Sequence, residues 1–219
     1  NTQYLKQMVE VIPAQDDKAR ERMRFLARQM ADAMAPSNFA ATNPEFIKLA
    51  VETKGQSITD GINNLIKDFE KGRISMTDES VFEVGRNIAT TAGAVVFEND
   101  VMQLIQYAPL TPKVGTRPLL MVPPCINKFY ILDLQPENSL VRYAIEQGHR
   151  TFVVSWRNPD ESLGHKTWDD YIDEAVLTAI ATVQKIAGAE QINALGFCVG
   201  GTMLANALAV LAARGEEPV

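Results

Sequence analysis

The residues with the clearest potential for chemistry lie at 196–200, where Gly-Phe-Cys-Val-Gly follows an apolar run and precedes a helix-like run of small residues. Glycines two positions before and after Cys198 suit a sharp strand-to-helix turn, because larger side chains would clash there. At a helix N-terminus, free N–H groups and the dipole stabilise a thiolate and a developing oxyanion. The pattern therefore predicts Cys198 as a catalytic nucleophile. The alternative is a small buried cysteine in an ordinary glycine-rich turn.

The elements that must position Cys198 follow from apolar runs and turn residues. Residues 93–97 and 101–107 flank a short polar link and predict a β-hairpin. Further strands are predicted at 117–122, 151–156 and 192–197, and helices at 136–147, 168–187 and 202–213. Two antiparallel strands followed by alternating strands and helices, with the nucleophile turn after a strand, is the order of the α/β-hydrolase fold. We therefore predict an α/β class domain over 86–219, the N-terminal portion of that fold, ending just after the elbow helix.

Residues 1–85 have a different, helical pattern and predict an α-helical N-terminal domain. The helical pattern begins near Tyr4. One helix is predicted from Asp16-Asp17 to a stop at Pro36, and a second begins at Asn43-Pro44. A third is predicted from Ser57, which with Asp60 has the form of a capping box, to a stop at Gly72. Methionine and phenylalanine stripes along these helices are typical of a core or of a partner interface. We expect an accessory region with a role in dimerisation or surface binding.

Composition limits the function classes. The chain of 219 residues has a formal net charge of −6 and no clustered basic face, which argues against nucleic-acid binding. It has no apolar run of the roughly 18 residues that a transmembrane segment needs. Two cysteines, Cys125 and Cys198, give no disulfide framework and favour a reducing cytoplasm. The scattered histidines and cysteines predict no metal site, and no cofactor motif is present. Because Asn1 is not an initiator, we expect a piece of a longer protein.

The catalytic partners of Cys198 can be placed from the strand order. In this fold the oxyanion donors are the N–H after the nucleophile and one from the loop after the third strand, which predicts the backbones of Val199 and Ile126. A thiol also needs a base, and the base needs an orienting acid. Both His149 and His165 precede the nucleophile, whereas the fold orders nucleophile, Asp, His. We therefore expect the catalytic Asp and His beyond Val219.

Asp133 is a further candidate, because it lies near the predicted oxyanion loop. It could position the substrate or order the loop. An ordinary carboxylate at a loop or helix entry is the alternative.

A cysteine in place of serine indicates the acyl donor. Attack of a thiolate on a thioester exchanges one thioester for another and releases a good thiol leaving group. Acyl-CoA donors therefore suit Cys198 better than ordinary esters.

Several stretches together carry a family resemblance. They lie at 78–80, 82–87, 123–137, 155–159, 167–171 and 196–202, and include Pro-Pro-Cys-Ile-Asn-Lys-Phe-Tyr, Ser-Trp-Arg-Asn-Pro and Gly-Phe-Cys-Val-Gly-Gly-Thr. The chain resembles the class I polyhydroxyalkanoate synthases over most of its length. The resemblance implies a lipase-like box with Cys198 as the residue that carries the polyester as a thioester.

It also implies the substrates and partners. These are an (R)-3-hydroxyacyl-CoA, with 3-hydroxybutyryl-CoA as the expected donor, a growing polyester chain, a homodimer, and attachment to the polyester granule in the cytoplasm. Two other functions stay open: a cysteine-type thioesterase or esterase on the same fold, and a non-catalytic dimerisation or granule-binding module. The second of these predicts an unreactive Cys198 thiol.

Overall fold

The structure is a computed structural model that describes residues 16–219 together with Gln3, Tyr4, Gln7 and Val11. The helical pattern predicted between Tyr4 and residue 15 lies largely outside the described residues. The chain divides into two compact units between Thr77 and Asp78. The division into domains at 85/86 stays a prediction.

Over residues 16–77, the first unit contains three α-helices, α1 (Asp17–Ala33), α2 (Pro44–Glu52) and α3 (Gln56–Lys71), and a short 3-10 helix (Pro36–Asn38). The Asp16 carboxylate caps α1 by accepting a hydrogen bond from the Ala19 N–H at 2.6 Å. Asn43 caps α2, and Pro44 fills its first position as predicted. The predicted capping box at Ser57 and Asp60 is wrong, because α3 begins directly after Gly55, whose φ of 87° suits glycine.

The apolar stripes of these helices lie at the surface of the chain. No residue of α1, α2 or α3 is buried. The exposed apolar side chains include Phe25, Met30, Ile47, Ile62, Leu65 and Phe69. Within the described ranges, no helix has both the length and the hydropathy to cross a membrane.

The second unit is built on a sheet with the strand order β1-β2-β6-β3-β7. In chain order the strands are β1 (Gly93–Glu98), β2 (Met102–Tyr107), β3 (Leu119–Val122), β4 (Asp133–Gln135), β5 (Asn138–Ser139), β6 (Thr151–Trp156) and β7 (Asn193–Gly196), of which β4 and β5 form a separate hairpin. β1 pairs with β2, and β2 with β6, in antiparallel fashion, whereas β3 is parallel to both β6 and β7. The carboxyl ends of β3, β6 and β7 therefore meet at one edge of the sheet.

Helices cover both faces of this sheet. They are α4 (Leu140–Glu146), α5 (Trp168–Asp170), a π-helical segment (Tyr171–Leu177), α6 (Thr178–Ala187) and α7 (Val199–Ala213). Because side chains alternate along a strand, neighbouring residues of β3 belong to different cores. Leu120 packs with Val154, Val176 and Met203 on one face, and Met121 packs with Val153, Val141 and Ile145 on the other.

Two predicted helices differ in detail from the structure. The helix predicted at 136–147 begins only at Leu140, because residues 133–139 form the β4–β5 hairpin and Ser139 caps α4 through a bond from the Arg142 N–H. The helix predicted at 168–187 is continuous but contains the π-helical segment. There the Asn99 side chain donates to the Glu174 carbonyl at 2.7 Å, which links the helix to the turn between β1 and β2.

Candidate active site

Cys198 occupies the turn between β7 and α7 in a backbone conformation that L-residues rarely adopt. Its φ is 55° and its ψ is −126°, a strain of about 1–3 kcal/mol. The Gly200 N–H donates to the Phe197 carbonyl, and the Gly201 N–H to the Cys198 carbonyl, each at 2.9 Å. The thiol is free and exposed. The turn therefore holds an accessible sulfur at the N-terminus of a 15-residue helix, as a nucleophile elbow does.

The two glycines that flank Cys198 are required by close backbone contacts. A Cβ at Gly196 would lie 2.4 Å from the Gly201 Cα atom, and a Cβ at Gly200 would lie 2.0 Å from the Val122 carbonyl oxygen. Both clashes involve backbone atoms, so neither can be relieved by turning a side chain. The predicted need for glycine at 196 and 200 is confirmed, and the contact at Gly200 joins the elbow to the end of β3.

At the end of β3 and the start of the loop that follows it, three successive carbonyl groups accept hydrogen bonds: one from the elbow, one from β6 and one from the loop itself. The Val122 carbonyl accepts from the Phe197 N–H at 3.1 Å, and the buried Pro123 carbonyl accepts from the Trp156 indole Nε1 at 2.7 Å. The Pro124 carbonyl accepts from the Asn127 N–H at 3.0 Å, which closes a turn over 124–127. The loop therefore leaves the sheet in a defined direction beside the elbow.

Two backbone donors at this edge of the sheet are without an acceptor. In the described part of the chain, neither the Val199 N–H nor the Ile126 N–H donates a hydrogen bond. Val199 is the first residue of α7, where the helix itself offers no acceptor. Ile126 is 77% exposed, at an inner position of the 124–127 turn. The assignment of both as oxyanion donors stays a prediction, while the Asn127 N–H is already used by the turn.

The two thiols differ in their surroundings. Cys198 is exposed, whereas Cys125 is half-buried and packs against the core that contains Trp156 and Met203. Burial raises the pKa of the Cys125 thiol, an effect that its own backbone N–H partly offsets. Because a thiolate is the reactive form, Cys125 is the less suitable nucleophile.

Asp133 lies inside the protein and is 1% exposed. One carboxylate oxygen accepts from the hydroxyls of Thr91 and Ser139, each at 2.6 Å, and the Asp133 carbonyl accepts from the Ala89 N–H. Its other oxygen has no partner in the described structure, and neither does the buried Tyr107 hydroxyl. Burial, and secondarily the charge of Asp133, raise the pKa of Tyr107. These contacts tie the loop that follows β3 to residues 89–91; a role in substrate positioning stays a prediction.

The two histidines stand on either side of β6 in the chain. His149 precedes the first residue of β6 and therefore lies at the amino end of that strand, opposite the elbow. His165 is exposed in the loop after β6. Among residues 16–219, no histidine hydrogen-bonds to Cys198.

Sequence reasoning missed Trp156 as a residue of this site. The prediction used it as the end of a strand and as part of the Ser-Trp-Arg-Asn-Pro stretch that carries the family resemblance, and gave it no role in the site. A signal was present, since a tryptophan at the carboxyl end of a buried strand must find an acceptor for its N–H. The Pro-Pro pair after the neighbouring strand offers carbonyls but no N–H groups of its own.

Comparison with known proteins places these features in a family. Residues 118–217 match the family model described as alpha/beta hydrolase fold. The poly(3-hydroxyalkanoate) polymerase subunit PhaC of Cupriavidus necator is 59% identical over 218 residues, which are 100% of this chain and 37% of that protein. The polymerase subunit PhaC of Rhizobium meliloti is 41% identical, covering 99% of this chain and 36% of that protein. The poly(3-hydroxyalkanoate) polymerase of Methylorubrum extorquens is 44% identical with the same coverage, 99% and 36%.

The chain thus spans little more than a third of the length of these relatives. Its β-strands, elbow and covering helices form part of an α/β-hydrolase fold. The family model described as poly-beta-hydroxybutyrate polymerase (PhaC) N-terminus matches residues 1–144, and the chain belongs to that family.

Proposed function

We propose that this chain is part of a polyhydroxyalkanoate synthase, an acyltransferase that polymerises (R)-3-hydroxyacyl-CoA and releases CoA. Cys198 is the nucleophile and carries the acyl chain as a thioester. The observation that carries the proposal is the strained, exposed Cys198 at the head of α7, in a chain of the PhaC family. The expected donor is 3-hydroxybutyryl-CoA.

The acylation step uses the groups at the carboxyl edge of the sheet. The Cys198 thiolate attacks the thioester carbonyl of the acyl-CoA, and the negative charge moves to the carbonyl oxygen. The N–H groups of Val199 and Ile126 are free to stabilise that oxygen. When the carbon–sulfur bond to CoA breaks, the CoA thiolate leaves and takes up a proton. One thioester replaces another, so the step involves little change in bond energy.

Chain growth requires a base that activates a hydroxyl group. A histidine first takes the Cys198 proton and later that of the attacking 3-hydroxyl, and an aspartate orients it. We place both residues in the part of the protein that this chain does not span. The hydroxyl oxygen then forms an ester with the acyl carbon and frees the Cys198 sulfur for another donor. Water must be kept from the acyl-enzyme for elongation to exceed hydrolysis.

The helical N-terminal domain, residues 1–85, has the proposed role of binding the granule surface or a second copy of the protein in the cytoplasm. Residues 86–219 belong to the catalytic domain. Support for a surface role comes from the apolar side chains of α1–α3, none of which is buried. Ile62, Leu65 and Phe69 are each more than half exposed on α3, at 54%, 54% and 78%.

The full-length protein, incubated with 3-hydroxybutyryl-CoA, tests the proposal when free CoA and the intact protein mass are followed together. We expect a mass ladder of hydroxybutyryl units on Cys198 and its loss in Cys198→Ala. The matched control, Cys125→Ala, removes the other thiol and keeps the ladder. CoA release with only free hydroxybutyrate would identify a thioesterase, and no CoA release would identify a non-catalytic module; either result contradicts the proposal.

A further inference from the structure

We propose that Trp156 is a positioning residue for acyl transfer: its indole N–H fixes the Pro123 carbonyl and so directs the Ile126 N–H toward the oxygen of the acyl group on Cys198. This inference rests on the proposed function, because it concerns the same oxyanion. Trp156 is not a catalytic residue in this scheme, since it acts only through the loop.

The position of Trp156 follows from the sheet. It is the last residue of β6, which runs parallel to β3, so its side chain lies beside the point where β3 ends. The side chain is buried, with 7% of its surface exposed, and Nε1 lies 2.7 Å from the Pro123 oxygen. A buried carbonyl without a partner is costly, so this bond strongly favours one orientation of the Pro123–Pro124 peptide.

The opposite side of the same peptide is closed by the elbow. A Cβ built on Gly200 would lie 2.8 Å from both the carbonyl carbon and the oxygen of Pro123. The preceding carbonyl, that of Val122, is held by the Phe197 N–H. The Pro123 carbonyl group is thus confined between the indole and the first turn of α7, the helix that carries the Val199 N–H.

The loop has few other means of holding its direction. Pro123 and Pro124 have no N–H groups, so they cannot donate hydrogen bonds to the sheet or the elbow. The next bond is that from Asn127 to the Pro124 carbonyl, and it lies within the turn itself. Among the described residues, Trp156 is therefore the side-chain donor that connects the start of the loop after β3 to the sheet.

The indole is itself supported. The centroid of its ring lies 5.9 Å from the ring centroid of Tyr171, the first residue of the π-helical segment. Asn99 fixes that segment by its bond to the Glu174 carbonyl. The orientation of the indole therefore depends on packed elements and not on the substrate, which is the condition for a preorganised oxyanion site.

The chain offers a matched pair for the test. It contains two tryptophans, and the second, Trp168, is 43% exposed with no hydrogen bond from its indole in the described structure. We compare Trp156→Phe with Trp168→Phe in the full-length protein. Three quantities are measured: the rate of CoA release from 3-hydroxybutyryl-CoA, the rate of Cys198 alkylation by iodoacetamide, and hydrogen exchange of the peptide containing Asn127.

For Trp156→Phe we expect kcat for CoA release to fall about tenfold, less than the roughly 10²–10³-fold cost of removing an oxyanion donor outright. Alkylation of Cys198 forms no oxyanion, so its rate should stay within about twofold of the wild-type rate. The Asn127 amide should exchange faster. Trp168→Phe should change none of these quantities. A general loss of structure would instead slow CoA release and alter alkylation together.

Two results would overturn the inference. The first is Asn127 exchange in Trp156→Phe equal to that in Trp168→Phe. The second is equal CoA release in the two variants. If the wild-type protein releases no CoA, the proposed function fails, and the exchange comparison still decides whether Trp156 orders the loop.

A second replacement guards against misfolding of Trp156→Phe. Incorporation of 3-benzothienylalanine at position 156 keeps the shape of the indole and replaces the N–H by sulfur. We expect the same loss of kcat and the same faster Asn127 exchange, with an unchanged melting temperature of the second unit. A wild-type kcat together with wild-type Asn127 exchange would overturn the role of the indole N–H.

Discussion

Replacing Cys198 by glycine and, separately, by alanine measures the strain stored at the elbow. Both variants lack the thiol, so they differ mainly in two respects: the entropy of the unfolded chain and the fit to a φ of 55° and a ψ of −126°. At an ordinary position, glycine is less stable than alanine by about 0.4–1 kcal/mol, because it increases the entropy of the unfolded chain. At position 198, relief of the strain is worth about 1–3 kcal/mol in the opposite direction.

Subtracting the entropy cost of glycine from the relief of strain predicts that Cys198→Gly is more stable than Cys198→Ala by about 1 kcal/mol. For a unit of this size, that corresponds to a melting temperature higher by about 2–4 °C. Differential scanning calorimetry of the full-length variants measures it. The control is Ala205→Gly on the exposed side of α7, where glycine should lower the melting temperature. If Cys198→Gly melts below Cys198→Ala, as the control does below the wild type, the elbow stores no strain.

Three further substitutions test the surroundings of the site. Gly200→Ala should lower the melting temperature by about 5 °C or more, because its Cβ would lie 2.0 Å from the Val122 oxygen. The adjacent Gly201→Ala should lower it much less, because the nearest atom to its Cβ, the Gly196 oxygen, would lie 3.3 Å away. Tyr107→Phe should remove a loss of stability at high pH. Because the folded protein raises the pKa of Tyr107, the neutral hydroxyl contributes its full stability below the ordinary pKa of 10.0, and this contribution falls as the pH rises above 10.0. Urea titrations from pH 8 to 11 would measure the change. Asn99→Asp keeps the acceptor of the β1–β2 turn but loses the donor to Glu174, so its melting temperature should fall less than that of Asn99→Ala; equal values would mean that the acceptor bonds within the turn contribute nothing.

The elements that sequence predicted well are those whose signals are local. Strand β6 was predicted with its observed bounds, Thr151–Trp156, because a run of apolar residues stands between a glycine-containing turn and a polar loop. Asn43-Pro44 and Gly72 were correct helix limits for the same reason. The sharp turn at Cys198 was predicted correctly because its flanking glycines are required by close backbone contacts.

The features that sequence missed depend on contacts between distant residues. The helix expected from Pro136 begins later because Asp133 accepts from Ser139 and from Thr91, 42 positions before it. The π-helical segment is supported by Asn99, 75 positions away from Glu174. The bond from Trp156 to Pro123 crosses 33 positions. A local pattern contains no information on such pairs until the strand order is known.

The pairing of β7 with β3 also has a consequence for the order of folding. Leu119 pairs with Asn193 and Val122 with Gly196, so the strand that delivers Cys198 joins the sheet across a long stretch of chain. Contacts so far apart in sequence form slowly, because a large loop must close first. The close contact of Gly200 with the Val122 carbonyl, which holds the elbow beside the end of β3, exists only after that pairing. Relative to Cys198→Ala, we therefore expect Cys198→Gly to slow unfolding and to leave the folding rate unchanged. The elbow would acquire its strained geometry among the last events of folding and lose it among the first of unfolding.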